Sequence, residues 1–215
     1  MRGITTVFWA AAISYLALLP LSGYDAQPAH KALPIFILLI WLWRQPVARK
    51  PLVLAAIGFS SLGDIFLALT FSFNFQAGLL AFACAQLCYA VFFFSSPNWA
   101  RAKRLPVALI VVTFCLVGGV VVPTTGELMW LVLFYTSTLM LMTCGSVVWT
   151  NGVAQTAIGA GVFVLSDSLI AINKFVMPLP YESFLIMVTY YLAQYLIVTG
   201  IAKQELAVTE VAKAN

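Results

Sequence analysis

Eight apolar runs, each ended by charges, prolines or glycines, occupy most of the sequence. They cover residues 4–21, 32–43, 52–71, 75–95, 105–122, 127–149, 154–174 and 182–202. A helix needs about 20 apolar residues to cross a bilayer, whereas a barrel strand needs only roughly 10. Backbone in lipid must satisfy its own hydrogen bonds, which limits spanning segments to helices and closed barrels. The runs therefore predict an all-α fold: a polytopic membrane protein with eight transmembrane helices in one bundle, a single transmembrane domain over residues 1–215. The balance of residue types agrees, with 63% apolar and 8% charged, against about 25% charged in soluble domains.

Two runs need comment. Residues 32–43, between Lys31 and Arg44, are short for a span. Pro34 is expected in the first turn, where its missing N–H is harmless, and Lys31 and Arg44 can extend the helix by snorkelling. The first run resembles a signal peptide, but no small-x-small cleavage site follows, so it is read as a retained helix.

With eight spans, both termini share a side with the even-to-odd connections. That side carries Arg2, Arg44, Arg49, Lys50, Arg101, Lys103, Arg104, Lys203 and Lys213; the other carries only Lys31 and Lys174. Basic residues concentrate in cytoplasmic loops, so both termini are expected in the cytoplasm. The net charge of +4 is thus a matter of topology. No basic run of the kind that binds nucleic acid is present. Cys84, Cys88, Cys115 and Cys144 all fall in apolar runs and form no ligand pattern with the single His30. They are read as small buried packing residues, and no metal or cofactor is expected.

The chain's chemistry must lie in the few polar residues inside the runs, because a charge in mid-membrane is costly and marks function by default. "GFSSLGDIFLAL", from Gly58, and "GAGVFVLSDSLIAI", from Gly159, echo each other. Each places a glycine six residues before an aspartate (Gly58 and Asp64; Gly161 and Asp167), and each is followed by a helix with "AQ", at Gln86 and Gln194. The third and fourth helices would then repeat the seventh and eighth in parallel. At 1.5 Å per residue, both aspartates lie roughly 10 Å below the end of the bundle remote from the termini. Tyr135 and Tyr190 lie at about 12 Å, and Gln86 and Gln194 at about 16–18 Å. Lys174, seven residues after Asp167, stands above it on the same helix face. With Lys31 and Lys174 read as rim residues, no cation is expected at the aspartates' level, so the two carboxyls should not both ionise and are expected to share a proton.

"HKALPIFILL", "SSLGDIFLAL", "GLLAFACAQLCYA" and, above all, "GAGVFVLSDSLIAINKFVMPLPYESFLIMVTYYLAQ" resemble the lysoplasmalogenase, or YhhN-type, family of integral membrane proteins. The resemblance runs from about residue 30 to 200 and is strongest from Gly159 to Gln194. It implies eight helices and hydrolysis of the vinyl-ether bond of lysoplasmalogens. The products would be a fatty aldehyde and glycerophosphocholine or glycerophosphoethanolamine. The motif aspartates correspond to Asp64 and Asp167. One departure stands out: where many members have histidine followed three residues later by tyrosine, this chain has Gln86 and Tyr89, and glutamine cannot carry a proton near neutral pH as histidine can.

Vinyl-ether cleavage begins with protonation of the β-carbon to an oxocarbenium ion, followed by addition of water. Two carboxyls, one acid and one base, suit this chemistry as they suit glycosidases. Asp64 and Asp167 are the candidate catalytic residues. Gln86, Tyr135, Tyr190 and Gln194 are candidates for holding water and the ether oxygen. Lys31, Asn173 and Lys174 are candidates for the phosphate. The expected partners are a lysophospholipid and bilayer lipids. The alternative is a small proton-coupled transporter or a lipid-translocating or lipid-binding protein, since parallel repeats and intramembrane carboxyls suit proton coupling.

Overall fold

The computed structural model describes residues 2–21, 23–47, 49–97, 104–149 and 154–214, with backbone alone at 2, 104–106, 109 and 208–214. Arg101 and Lys103, counted above for orientation, lie outside them. The helices are α1 (Arg2–Leu18), α2 (Gln27–Trp43), α3 (Lys50–Ala68), α4 (Asn74–Phe94), α5 (Arg104–Val121), α6 (Met129–Val148), α7 (Ala154–Phe175) and α8 (Glu182–Ala214). Short 3-10 turns follow α1 and α5 and precede α6. The protein is an all-α polytopic membrane protein. Among the described residues, six helical segments are long and apolar enough to cross a membrane: Gly3–Leu21, Lys50–Ala68, Asn74–Phe94, Gly126–Val148, Ala154–Phe175 and Glu182–Ala207. α2, at 17 residues, is shorter, as is the apolar stretch Ile110–Thr124 of α5 and the turn after it.

Two boundaries differ from the sequence reading. α2 starts at Gln27, with Pro28 in its first turn, and Pro34 lies inside the helix. The reason is Lys31: its charge reads as a helix boundary, but its side chain is only 12% exposed and is paired within the bundle. α8 runs on past residue 202 to Ala214, because nothing after the apolar run breaks a helix. The cysteines also differ from expectation. All four are free, with Cys84 and Cys115 exposed and Cys88 and Cys144 half-buried, so none is a buried packing residue.

The most extensive pairings are α3 with α4 and α7 with α8, the two pairs that echo each other in sequence. In lipid, close helix approach depends on small residues at the interface. A Cβ on Gly63 would run into the ring of Phe82, and one on Gly78 into Leu67. In the second pair, a Cβ on Gly159 would stand 2.9 Å from the Ile197 backbone N, and Gly200 lies against Thr156. Gly58 and Gly161, the glycines of the echo, make no such contact: a Cβ would meet only Leu39 at 3.9 Å in the first case and nothing within 4 Å in the second. Phe8, Ile35, Leu38, Ile57, Tyr89, Phe163, Tyr191 and Ile197 form the centre of the core. α1 joins it through Phe8, which packs on Tyr191 and Tyr195 of α8. Ile13, Val112, Leu116, Leu141 and Leu165 are exposed, as lipid-facing side chains are.

Candidate active site

Asp167 is buried on α7. Tyr135 of α6 donates to its Oδ2 at 2.5 Å, and the Gln86 Nε2 of α4 donates to the same oxygen at 3.2 Å. Thr138, one turn after Tyr135, donates to Gln86 Oε1 at 2.6 Å. The same hydroxyl lies 2.8 Å from the Tyr135 carbonyl; while it donates to Gln86, the amide oxygen is occupied and the NH2 faces the carboxyl. Both donors to Asp167 use Oδ2, and Oδ1 has no hydrogen-bond partner among the described residues. Asp167 and Tyr135 line an apolar cavity of about 70 Å³ between α4, α5, α6 and α7, walled by Leu79, Phe114, Val117 and Val164. The carboxyl thus has a free oxygen on a cavity that is mostly hydrocarbon, with Thr113, Thr136 and Ser168 as its other polar lining.

Asp64 on α3 is also buried, but both its oxygens are occupied. Tyr190 of α8 donates to Oδ2 at 2.7 Å, and Lys31 Nζ of α2 lies 3.8 Å from Oδ1. This corrects the expectation that no cation reaches the aspartates. Lys31 has the length to reach back along α2 from the rim and does so. Among the described residues the aspartates have no hydrogen bond to each other and no hydrogen-bond partner in common. Tyr190 packs edge-on against Phe82 and Phe163, with centroids 5.6 and 5.9 Å away. Phe163 and Phe82 stand one turn before Asp167 and Gln86 on their helices.

The two echoing halves are stitched crosswise. Gln86 of α4 reaches Asp167 of α7. Gln194 of α8 reaches α3, donating to Ser60 Oγ at 2.9 Å while accepting from Tyr89 OH at 3.0 Å. Gln194 is fully buried, stands one turn from Tyr190, the partner of Asp64, and ties α8 to α3 and α4. Asn173 Oδ1 accepts from the Leu179 N–H at 2.8 Å and holds the turn between α7 and α8. Lys174 is exposed, with Nζ 5.1 Å from the centroid of the Phe75 ring. Lys31, Asn173 and Lys174 all line a second cavity, of about 330 Å³, at the end of the bundle remote from the termini. Phe75 and Ile170 line both cavities, so this polar vestibule and the apolar cavity are neighbours. Sequence reasoning missed Thr138, which completes the Asp167 network, and Ser60, which anchors Gln194. The available signal was their spacing: Thr138 stands three residues from Tyr135 and Ser60 four from Asp64, on the same helix faces.

The model of the YhhN family matches residues 26–201. Lysoplasmalogenase TMEM86A of Bos taurus is 33% identical over 210 residues, spanning 88% of this chain and 84% of its own. The Homo sapiens protein of the same name is 31% identical over 209 residues, with the same coverage. A lysoplasmalogenase of Mycobacterium tuberculosis is 30% identical over 181 residues, 81% of this chain and 69% of its own. No solved structure gives a significant match.

Proposed function

The chain belongs to the YhhN family, and from that premise we propose that it is a membrane-embedded lysoplasmalogenase. It hydrolyses the vinyl ether of a lysoplasmalogen to a fatty aldehyde and glycerophosphocholine or glycerophosphoethanolamine. Besides the relatives' names, the observation that carries this reading is Asp167: a buried carboxyl whose Oδ1 has no hydrogen-bond partner among the described residues and which lines an apolar cavity beside a polar vestibule. A single-chain lipid needs that combination, with hydrocarbon below, head group above and an acid between them.

Protonated Asp167 gives its proton to the vinyl-ether β-carbon, and the ether oxygen stabilises the resulting cation as an oxocarbenium ion. The Asp167 carboxylate then takes a proton from the water that adds to the α-carbon. The hemiacetal collapses to aldehyde as its hydroxyl proton passes to the ether oxygen, which leaves as the glycerol hydroxyl. One water is consumed and Asp167 ends as it began. Tyr135 and Gln86, the donors to Oδ2, stabilise the carboxylate between the two transfers. Asp64 has another duty. As the anion beside Lys31 it holds that cation at the floor of the vestibule and sets the Tyr190 ring. The two aspartates therefore divide the work between proton transfer and electrostatic positioning.

The termini are assigned to the cytoplasmic side on the distribution of basic residues; labelling of a cysteine placed near Arg101 from outside intact cells would reverse that assignment. The activity is tested with purified protein in detergent, given vinyl-ether, ester and alkyl-ether lysolipids. Stoichiometric aldehyde from the vinyl ether alone is the expected result. Release without a sealed compartment also separates a hydrolase from a proton-coupled transporter, and absence of aldehyde in detergent and in liposomes would refute the hydrolase.

A further inference from the structure

The vestibule holds more charge than the chemistry uses. Lys31 is committed to Asp64 at 3.8 Å, which leaves Lys174 and Glu182. Both line the cavity, together with Tyr15, Gln27 and Asn173. Lys174 ends α7 and Glu182 begins α8, so the tight turn between the helices brings a cation and an anion to one mouth. They do not neutralise each other: among the described residues neither has an ion-pair partner. Lys174 lies over the Phe75 ring, and Glu182 Oε1 accepts only the Ser183 hydroxyl, at 3.1 Å. At about 330 Å³ the vestibule is within the range, roughly 300 Å³ upward, of cavities that take small polar ligands.

Resting on the reading above, we propose that Glu182 is the head-group selector of this protein. It receives the ammonium of a zwitterionic phospho-amine head group whose phosphate lies against Lys174, and it disfavours head groups whose only charge is negative. Opposed charges on one cavity match a zwitterion in both charge and direction. An anionic phosphoglycerol would satisfy Lys174 but offer the carboxylate of Glu182 only neutral hydroxyls and no cation. Specificity of this kind comes as much from the repulsion as from the attraction. The carboxylate attracts the ammonium by its charge, methylated or not, so ethanolamine and choline head groups share the site. Phe75 and Ile170, common to both cavities, set the distance from head group to Asp167.

The test measures binding alone, on full-length protein in maltoside detergent. The ligands are hexadecyl-ether lysolipids with phosphoethanolamine, phosphocholine and phosphoglycerol head groups, which contain no vinyl ether. The wild type should bind the two zwitterionic lipids about fivefold more tightly than the phosphoglycerol lipid, the scale of one partly exposed charge pair. Glu182→Gln should bring that ratio close to one, Glu182→Asp should restore part of it, and Lys174→Met should weaken all three ligands alike. An unchanged ratio in Glu182→Gln, or an equal loss for all three ligands, overturns the proposal. Because no vinyl ether is present, selection can fail while aldehyde release stands, and aldehyde release can fail while selection stands.

Discussion

Lys31 on α2 and Asp64 on α3 form an ion pair inside the bundle, Nζ to Oδ1 3.8 Å, with side chains 12% and 2% exposed. Removing one partner of such a pair leaves the other buried without compensation, an effect of about 3–5 kcal/mol, whereas replacing both together is often mild. Lys31→Met should therefore lower the thermal midpoint in detergent markedly. The double variant Lys31→Met/Asp64→Asn should recover much of the loss. Midpoints that fall additively in the double variant would show that the pair is not coupled.

The proton-transfer assignment gives a different pattern at Asp167. Asp167→Asn keeps the size of the side chain and its contact with Tyr135 but cannot give a proton, so kcat should fall by about 10²–10⁴-fold with the midpoint near that of wild type. Thr138→Val acts at one remove, by freeing the Gln86 amide to turn from Asp167. Losing a hydrogen bond to a charged group, about 1.5 kcal/mol, corresponds to roughly tenfold in kcat. KM should hold, and Thr138→Ser should restore the rate. A rise in KM with kcat intact would move Thr138 from carboxyl positioning to lipid binding.

The sequence made the helices legible because apolar length and flanking charge are physical requirements of a span. Asp64, Asp167, Gln86 and Gln194 stood out because each is expensive in lipid. Lys31 was misread for a related reason: a charge next to an apolar run looks like a boundary unless its partner, here a residue on the next helix, is known. The hydroxyls gave a far weaker signal. Thr136, Ser137 and Thr143 all donate to the carbonyl four residues back, as such residues do in any helix. Thr138 also reaches back to a carbonyl of its own helix, that of Tyr135, and only its spacing from Tyr135 hints at the contact across to Gln86. Glycines pose the same difficulty, since the echo selects Gly161 while packing selects Gly159.

That contrast is testable within one turn of α7. A Cβ on Gly159 would meet the Ile197 backbone N and the Leu196 Cβ at 2.9 Å, whereas one on Gly161 meets nothing within 4 Å. Gly159→Ala must push α8 away and should destabilise by about 1–3 kcal/mol. Gly161→Ala should be neutral or stabilising by up to about 1 kcal/mol, from helix propensity alone. Equal midpoints for the two variants would mean that α7 and α8 do not approach as closely as described.

The apolar cavity provides the last prediction. Val164 lines it three residues before Asp167, on the same helix face, while its neighbour Leu165 points away and is 51% exposed. If the lipid's alkenyl chain lies in this cavity, Val164→Phe fills the space it needs. Overpacking of this kind destabilises by about 1–3 kcal/mol, so thermal midpoints must be read beside the kinetics. Val164→Phe should lower kcat/KM for a long-chain lysoplasmalogen by more than tenfold, a loss of about 1.4 kcal/mol or more in transition-state binding. A vinyl ether with a very short chain should lose much less. Leu165→Phe adds the same ring to the lipid-facing side and should leave both substrates unaffected. The comparison between chain lengths decides the matter, because a general loss of folding would lower both rates together, whereas a blocked cavity penalises only the chain that must enter it. Equal losses for long and short chains would place the hydrocarbon elsewhere, against the lipid-facing surface and not beside Asp167.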